Sequence, residues 1–275
     1  MFYVLASVVC SVLVSVLLKL APRWRVDVQQ AVAWNYVVAG VATAVLLQPS
    51  LAPLAQAPWL TLILLGILLP TLFLVLAASV RHAGIVRSDV AQRLSLVLPL
   101  LAAFLLFGET PTTTKIVGCA LGLAALFGMV WRADAGARGD WKWPLLVFAG
   151  FGVIDILFKR VAAAGLPLGT SLQVVFALAM LVAFCIAMPR RVRFDLRGFI
   201  GGIALGLLNF GNILFYLRAH RALPHEPSLV FASMNLGVVA LGTVVGVVAF
   251  RERLGRLNIA ALGLAVIAVL VLMRV

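Results

Sequence analysis

Apolar residues fill this chain in long blocks, and its polar residues gather at the breaks between them. The blocks show neither the alternation of a half-buried strand nor the narrow stripe of a soluble amphipathic helix. A hydrocarbon layer about 30 Å thick takes about 20 helical residues to cross. Counted against that length, spans are predicted at Phe2–Leu18, Gln30–Leu47, Pro58–Val80, Asp89–Phe107, Pro111–Trp131, Trp143–Val161, Leu168–Met188, Gly198–Leu217, Pro227–Phe250 and Leu257–Met273. The punctuation agrees, because Pro49, Pro53 and Pro58 crowd one turn, Arg132–Lys142 is polar and Pro189 ends a span. Hydrocarbon forces every backbone amide to pair internally, so the spans are helices, and the short alternating strands of a barrel are absent from the pattern. The predicted fold class is an all-α integral membrane protein of ten transmembrane helices, with no length left for a soluble domain.

Composition sharpens this picture. Hydrophobic residues make up 64% of the 275 and charged residues 11%, against roughly a quarter charged in a soluble domain. The net charge of +13 would suggest nucleic acid, but the arginines are scattered singly between apolar runs, so no nucleic-acid partner is expected. Disorder, collagen and a disulfide-stapled secreted domain are excluded as well. Cys10, Cys119 and Cys185 each fall within a span and read as small packing residues. No metal and no cofactor are expected.

Charge does fix an orientation. Loops on the side of the two termini, with the C-terminal tail, carry six cations (Lys115, Lys159, Arg160, Arg218, Arg221 and Arg274), and the opposite side carries the other sixteen. The positive-inside rule therefore puts both termini outside the cytoplasm of a multi-pass inner (cytoplasmic) membrane protein. No basic residue precedes the first span, so that span does not read as a cleavable signal.

An internal repeat is the most informative feature. Ser15-Val16-Leu17-Leu18-Lys19 corresponds to Asp155-Ile156-Leu157-Phe158-Lys159 at an offset of 140. Phe107-Gly108-Glu109 corresponds to Phe250-Arg251-Glu252 at 143, and Ala120-Leu121-Gly122-Leu123-Ala124 recurs unchanged from Ala261 at 141. Three matches in order divide the chain into residues 1–135 and 140–275, with five spans each. An odd number of spans makes the second repeat inverted relative to the first, an arrangement typical of secondary transporters.

Five plus five spans, a Gly/Arg-Glu turn after the fourth and ninth, and a glycine-bearing span after each make the chain resemble the drug/metabolite transporter (DMT) superfamily, close to its EamA-like members. The resemblance implies a central cavity lined by the first, third, fourth, sixth, eighth and ninth helices, with the fifth and tenth packed peripherally. Two features depart from it: many relatives keep their termini in the cytoplasm, and Arg251 stands where the first half has Gly108.

Candidate chemistry is sparse. Glu109 and Glu252 read as structural acids, with Thr110-Pro111 as N-cap and first residue of the fifth span. Asp155 is the one acid well inside a span. Burying it in lipid costs at least about 2.5 kcal/mol, so it should face protein or a wet cavity. It either pairs with Lys159 one turn away or couples transport to a proton or cation. Lys19 and Lys159 are equivalent in the repeat, and either snorkel to the headgroups or bind an anion. In the eighth span Gly202, Gly206, Asn209, Asn212, Tyr216 and His220 share one face about 120° wide at 100° per residue. Asn209, Asn212 and Tyr216 on that face are read as substrate contacts, with interhelical hydrogen bonding as the alternative. Asn235 and its repeat equivalent Gln92, the adjacent Arg93 (which could instead pair with Asp89), and Asn35 beside Tyr36 complete the candidates. Glycines four apart at Gly118/Gly122, Gly202/Gly206 and Gly242/Gly246 read as helix-packing sites that could include a homodimer contact.

The expected function is secondary transport of a small polar or amphipathic metabolite, such as an amino acid, sugar, nucleoside or drug-like molecule, by alternating access. The expected partners are that solute and membrane lipids. A translocase for lipid headgroups or lipid carriers is the alternative on this fold. An intramembrane enzyme is disfavoured because His82, His220 and His225 all sit at span ends, away from any cluster of nucleophile, base or metal ligands. An alkaline phosphatase fusion after Val275 is expected to be active in cells, and a reporter active only in the cytoplasm to be silent. The reverse pair of signals would overturn the orientation.

Overall fold

The computed structural model describes residues 1–21, 23–50, 55, 57–83, 88, 91–92, 94–130, 142–188, 195–250 and 256–274. Among these, 86% are helical and none is in a strand. The helices are α1 (Phe2–Leu20), α2 (Val28–Leu47), α3 (Trp59–Ala83), α4 (Val97–Leu105), α5 (Thr113–Val130), α6 (Lys142–Ala163), α7 (Leu168–Ala187), α8 (Leu196–Ala222), α9 (Pro227–Phe250) and α10 (Arg256–Leu272). Five of them contain segments long and apolar enough to cross a membrane: Val28–Leu47, Trp59–Leu76, Leu168–Ala187, Leu196–Ala222 and Pro227–Ala249. Phe2–Leu18, Thr113–Ala125 and Ile259–Leu272 are shorter apolar segments.

The lipid-facing chemistry is visible on α1. Val4, Val8 and Val12 are buried, whereas Phe2, Leu5, Val9 and Leu13 are exposed. Both faces are apolar, so the exposed one has no reason to favour water. Leu60, Leu105, Met188 and Val248 are likewise exposed on other helices.

The sequence predicts one continuous fourth span, Asp89–Phe107, and here the structure differs. Helical residues at 91–92 and 94 give way to a turn at Ser95–Leu96 before α4 begins. Pro99 has no N–H to return to the carbonyl of Ser95, four residues earlier. Leu98 N–H takes that carbonyl instead, at 3.0 Å, while Ser95 Oγ donates to Gln92 O at 2.6 Å. The helix tightens locally at this point, while Ser95 N–H still reaches Ala91 O and Leu100 N–H reaches Leu96 O, each at 3.1 Å.

The helices group into two compact units. Unit 1 comprises residues Met1–Thr71 and Leu157–Arg221, and unit 2 comprises Leu72–Ile156 and Ala222–Val275. The division falls within α3 and α6, so each unit takes segments from both halves of the sequence.

In unit 1, α2 packs on α7 and α8. Gly198, Gly202 and Gly206 of α8 recur every fourth residue and face Gln30, Trp34 and Val38 of α2, also four apart. A Cβ on Gly206 would lie 2.8 Å from Asn35 O and 2.7 Å from Val38 Cβ, so only glycine permits this approach. Both helix starts are tied down: Asp27 Oδ1 accepts from Gln29 and Gln30 N–H, and Asp195 Oδ1 accepts from Gly198 N–H. The Gln30 amide joins the two, donating to Asp195 O at 2.8 Å and accepting from Asp195 N–H at 3.1 Å.

In unit 2, α5 packs along α10, with Gly118 against Leu272 and Gly122 against Leu236 and Ala268. Gly242, expected to be a packing site, faces open space, as does Gly263, the repeat equivalent of Gly122. Gly206→Leu is expected to cost roughly 1–3 kcal/mol through overpacking, and Gly242→Ala to stay within about 0.5 kcal/mol of the parent. Thermal unfolding of the two variants in detergent checks this contrast.

Candidate functional site

α8 is the hub of unit 1, and its polar face is distributed among several neighbours. Gly202 and Gly206 are occupied by α2, as above. Asn212 turns to α1, where Ser7 Oγ lies 2.8 Å from its Oδ1 and 2.9 Å from its carbonyl oxygen. Tyr216 is buried, edge-on to Phe158 of α6 at 6.0 Å and to His220 at 4.8 Å. Phe210 meets Phe176 of α7 at 6.4 Å. On this face Asn209, Tyr216 and His220 are buried and Asn212 is half-buried.

Asn209 differs from Asn212. It is buried, and its Nδ2 has no hydrogen-bond partner among the described residues. In unit 1, buried Asn35 through both amide atoms and buried Tyr36 through its hydroxyl share that condition, and half-buried Gln173 of α7 has an enclosed Oε1 in the same state. Asn35 and Tyr36 are completely enclosed, at 0% exposure. The Asn35 carbonyl lies against Gly206, one helical turn from Asn209, and the Gln173 amide lies against Gly40, one turn from Tyr36. Three mutually packed helices, α2, α7 and α8, thus carry four side chains with enclosed polar atoms of unused hydrogen-bonding capacity. An unmet buried polar group costs about 1–3 kcal/mol, so a set of them calls for water or a polar solute.

The other sequence-predicted residues are dispersed. Asn235 of α9 is in unit 2 and satisfies itself by donating to Phe231 O at 3.0 Å. Gln92 is helical and half-buried, also in unit 2, and Arg93 lies outside the described residues, as do Asp89, Arg251 and Glu252. Lys159 is buried on the unit 1 side of the division within α6, and half-buried Asp155 is on the unit 2 side. Lys19 is in the last turn of α1, with its side chain outside the description. Gln173 was missed by sequence reasoning, although a lone amide inside Leu168–Ala187 is the same signal that singled out Asn35.

Unit 2 holds a different polar cluster, and it corrects the expected capping scheme. Thr110 and Pro111 do not start the fifth span. Helix α5 begins at Thr113, and Thr112 Oγ1 accepts from Lys115 N–H at 3.3 Å. Glu109 instead caps α9: one carboxylate oxygen accepts from Ser228 N–H at 2.8 Å and the other from Ser228 Oγ at 2.5 Å. Gly108, at φ 67°, makes the left-handed turn that ends α4, closed by Glu109 N–H donating to Ala103 O at 3.1 Å. The ammonium of Lys115, itself buried, lies 3.2 Å from Glu109 and 2.9 Å from Glu226. A carboxylate at a helix N-terminus with a cation beside it is a closed electrostatic unit, and it has the character of a structural joint between α5 and α9.

Comparison with known proteins follows from this architecture. Residues 1–131 match the EamA-like transporter family. A Haemophilus influenzae (strain Rd) protein, described as uncharacterized, is 43% identical over 263 residues, spanning 92% of this chain and 90% of its own. A protein of known crystal structure superposes with a TM-score of 0.69 over 99% of this chain and 98% of its own, at 19% identity, which makes it a relative in fold.

Removing the cation from the unit 2 cluster strands a buried carboxylate. Lys115→Met is expected to destabilise the protein by about 3–5 kcal/mol, whereas Glu226→Gln, whose side chain is 29% exposed, is expected to cost less than about 1 kcal/mol. Melting curves in detergent should rank the two in that order.

Proposed function

Because the chain belongs to the EamA-like transporter family, we propose that it is a secondary transporter moving a small polar or amphipathic metabolite across the inner membrane by alternating access. In this reading the chain crosses the membrane ten times, as two inverted five-helix repeats with both termini outside the cytoplasm. The sequence has no GxxxxGK[ST] phosphate loop, so the free energy of uptake or efflux comes from an ion or solute gradient.

The observation that carries the proposal is the set of buried, unpartnered polar atoms on Asn35, Tyr36, Gln173 and Asn209. In a dry helical bundle these groups would be a net cost, and apolar side chains of equal size would pack better. A polar solute offered to them replaces that cost with hydrogen bonds. Being neutral, the set suits hydroxyl, amide or zwitterionic groups better than a strongly charged ligand. Tyr36 adds an aromatic surface beside the amides, which suits an amphipathic solute. Asp155 remains the proposed coupling acid, with Lys159 and Lys19 as the cations of the same scheme. Asn212, Tyr216, Asn235, Gln92 and Arg93 remain candidates for contact in other states of the cycle.

The test is transport by cells or proteoliposomes, using the solute picked out by a toxicity screen of producing cells. Asn209→Leu is expected to lower transport at least about tenfold, the equivalent of about 1.4 kcal/mol of lost binding, without lowering the melting temperature. Asp155→Asn is expected to abolish its pH dependence. Unimpaired transport in Asn209→Leu would remove the buried amides from the substrate path, and unchanged pH dependence in Asp155→Asn would end its coupling role.

A further inference from the structure

Unit 1 carries a cleft of about 580 Å³ between the end of α1 and the start of α8. Its lining includes Arg23, Trp24 and Arg25 from the α1–α2 turn, Arg197 from the first turn of α8, and the apolar side chains of Leu17 and Ile200. None of these residues belongs to the buried amide set, so the cleft stands apart from the proposed transport site. Its chemistry is graded along the helices. The three guanidinium groups sit at helix ends, and the apolar lining begins about one turn further in: Leu17 is three residues from the end of α1, and Ile200 is three residues beyond Arg197. Each such step is about 4.5 Å along a helix axis.

The cationic end is preorganised. Trp24 N–H donates to Leu20 O at 3.1 Å and Val26 N–H to Ala21 O at 2.9 Å, closing the chain tightly after α1. Arg25 takes up the left-handed conformation, φ 54°, within this turn, an unfavourable one for a side chain with a Cβ. The acids nearest in sequence are engaged elsewhere, because Asp27 and Asp195 turn their carboxylates to the first amides of α2 and α8. Trp24 is half-exposed, as a tryptophan at the headgroup level of a bilayer is.

We propose that this cleft binds an anionic phospholipid, with Arg23, Arg25 and Arg197 holding the phosphate and the apolar lining of α1 and α8 seating the upper acyl chain. Charge complementarity selects an anion, since guanidinium groups match phosphate oxygens in a forked geometry. The apolar continuation selects a lipid over a soluble phosphate ester, which would gain nothing from Leu17 and Ile200. Both loops belong to the side richer in basic residues, where an anionic leaflet adds its own attraction.

The test uses the purified full chain in neutral detergent micelles, titrated separately with phosphatidylglycerol, phosphatidylcholine and soluble glycerol 3-phosphate, with binding read by native mass spectrometry and tryptophan fluorescence. Phosphatidylglycerol is expected to bind best, and to lose about fivefold in affinity for each arginine changed in Arg23→Gln, Arg25→Gln and Arg197→Gln. Arg160→Gln, an exposed cation outside the cleft, should leave it unchanged. Ile200→Asn, at a position 58% exposed, should weaken the lipid too, with an unchanged melting temperature as the control for folding. Equal binding of phosphatidylcholine would overturn the proposal, as would glycerol 3-phosphate binding as well as the lipid. Undiminished phosphatidylglycerol binding in the arginine variants or in Ile200→Asn would do the same.

Discussion

Hydrocarbon donates and accepts no hydrogen bonds, and the rest of this structure depends on that constraint. Backbone amides are confined to helices because nothing outside can satisfy them. Side chains with polar atoms then become conspicuous, since each has to find a partner inside the protein or be served by water or a ligand. The chain meets the demand in three ways. Thr43, Thr71 and Thr243 return their hydroxyls to carbonyls of the preceding turn. Ser7–Asn212 and Gln30–Asp195 join neighbouring helices through their side chains. Asn35, Tyr36, Gln173 and Asn209 each keep an enclosed polar atom without a partner among the described residues.

Close packing in such a medium cannot rest on the hydrophobic effect, because lipid tails are as apolar as leucine. Contact area has to come from shape. Unit 1 achieves it with a glycine groove on α8 that receives Gln30, Trp34 and Val38, and unit 2 with Gly118 and Gly122 of α5 against α9 and α10. The same spacing at Gly242 meets nothing, so glycines four apart permit an approach without compelling one. In unit 1 the groove is next to the polar set, since Asn35 presents its carbonyl to Gly206 while its amide stays unpaired. Packing and the candidate site therefore share the same helix pair.

Charge is handled differently at three places. The Glu109–Lys115–Glu226 cluster shares one ammonium between two carboxylates and docks the start of α9 onto α5. The arginines at the end of α1 and the start of α8 are left open to an outside anion. In the second half of α6, Asp155 is half-buried and Lys159 is buried.

Length and hydropathy by themselves determined that the chain is helical and membrane-embedded, because the bilayer imposes one local rule on every segment. The same local logic picked out Asn35 and Asn209, since a lone amide in an apolar run is costly wherever it sits. What a side chain meets across a helix interface is not local, and only tertiary structure decided it. Asn212 and Asn209 look alike in sequence, but one faces Ser7 and the other leaves its Nδ2 without a partner among the described residues. Glu109 read as a cap for the helix it precedes, yet it caps a helix that begins well over a hundred residues later. Gln173 emerged only once α7 was seen packed on α2. Pairing in hydrocarbon is a property of neighbours in space, and the order of residues along the chain does not specify those neighbours.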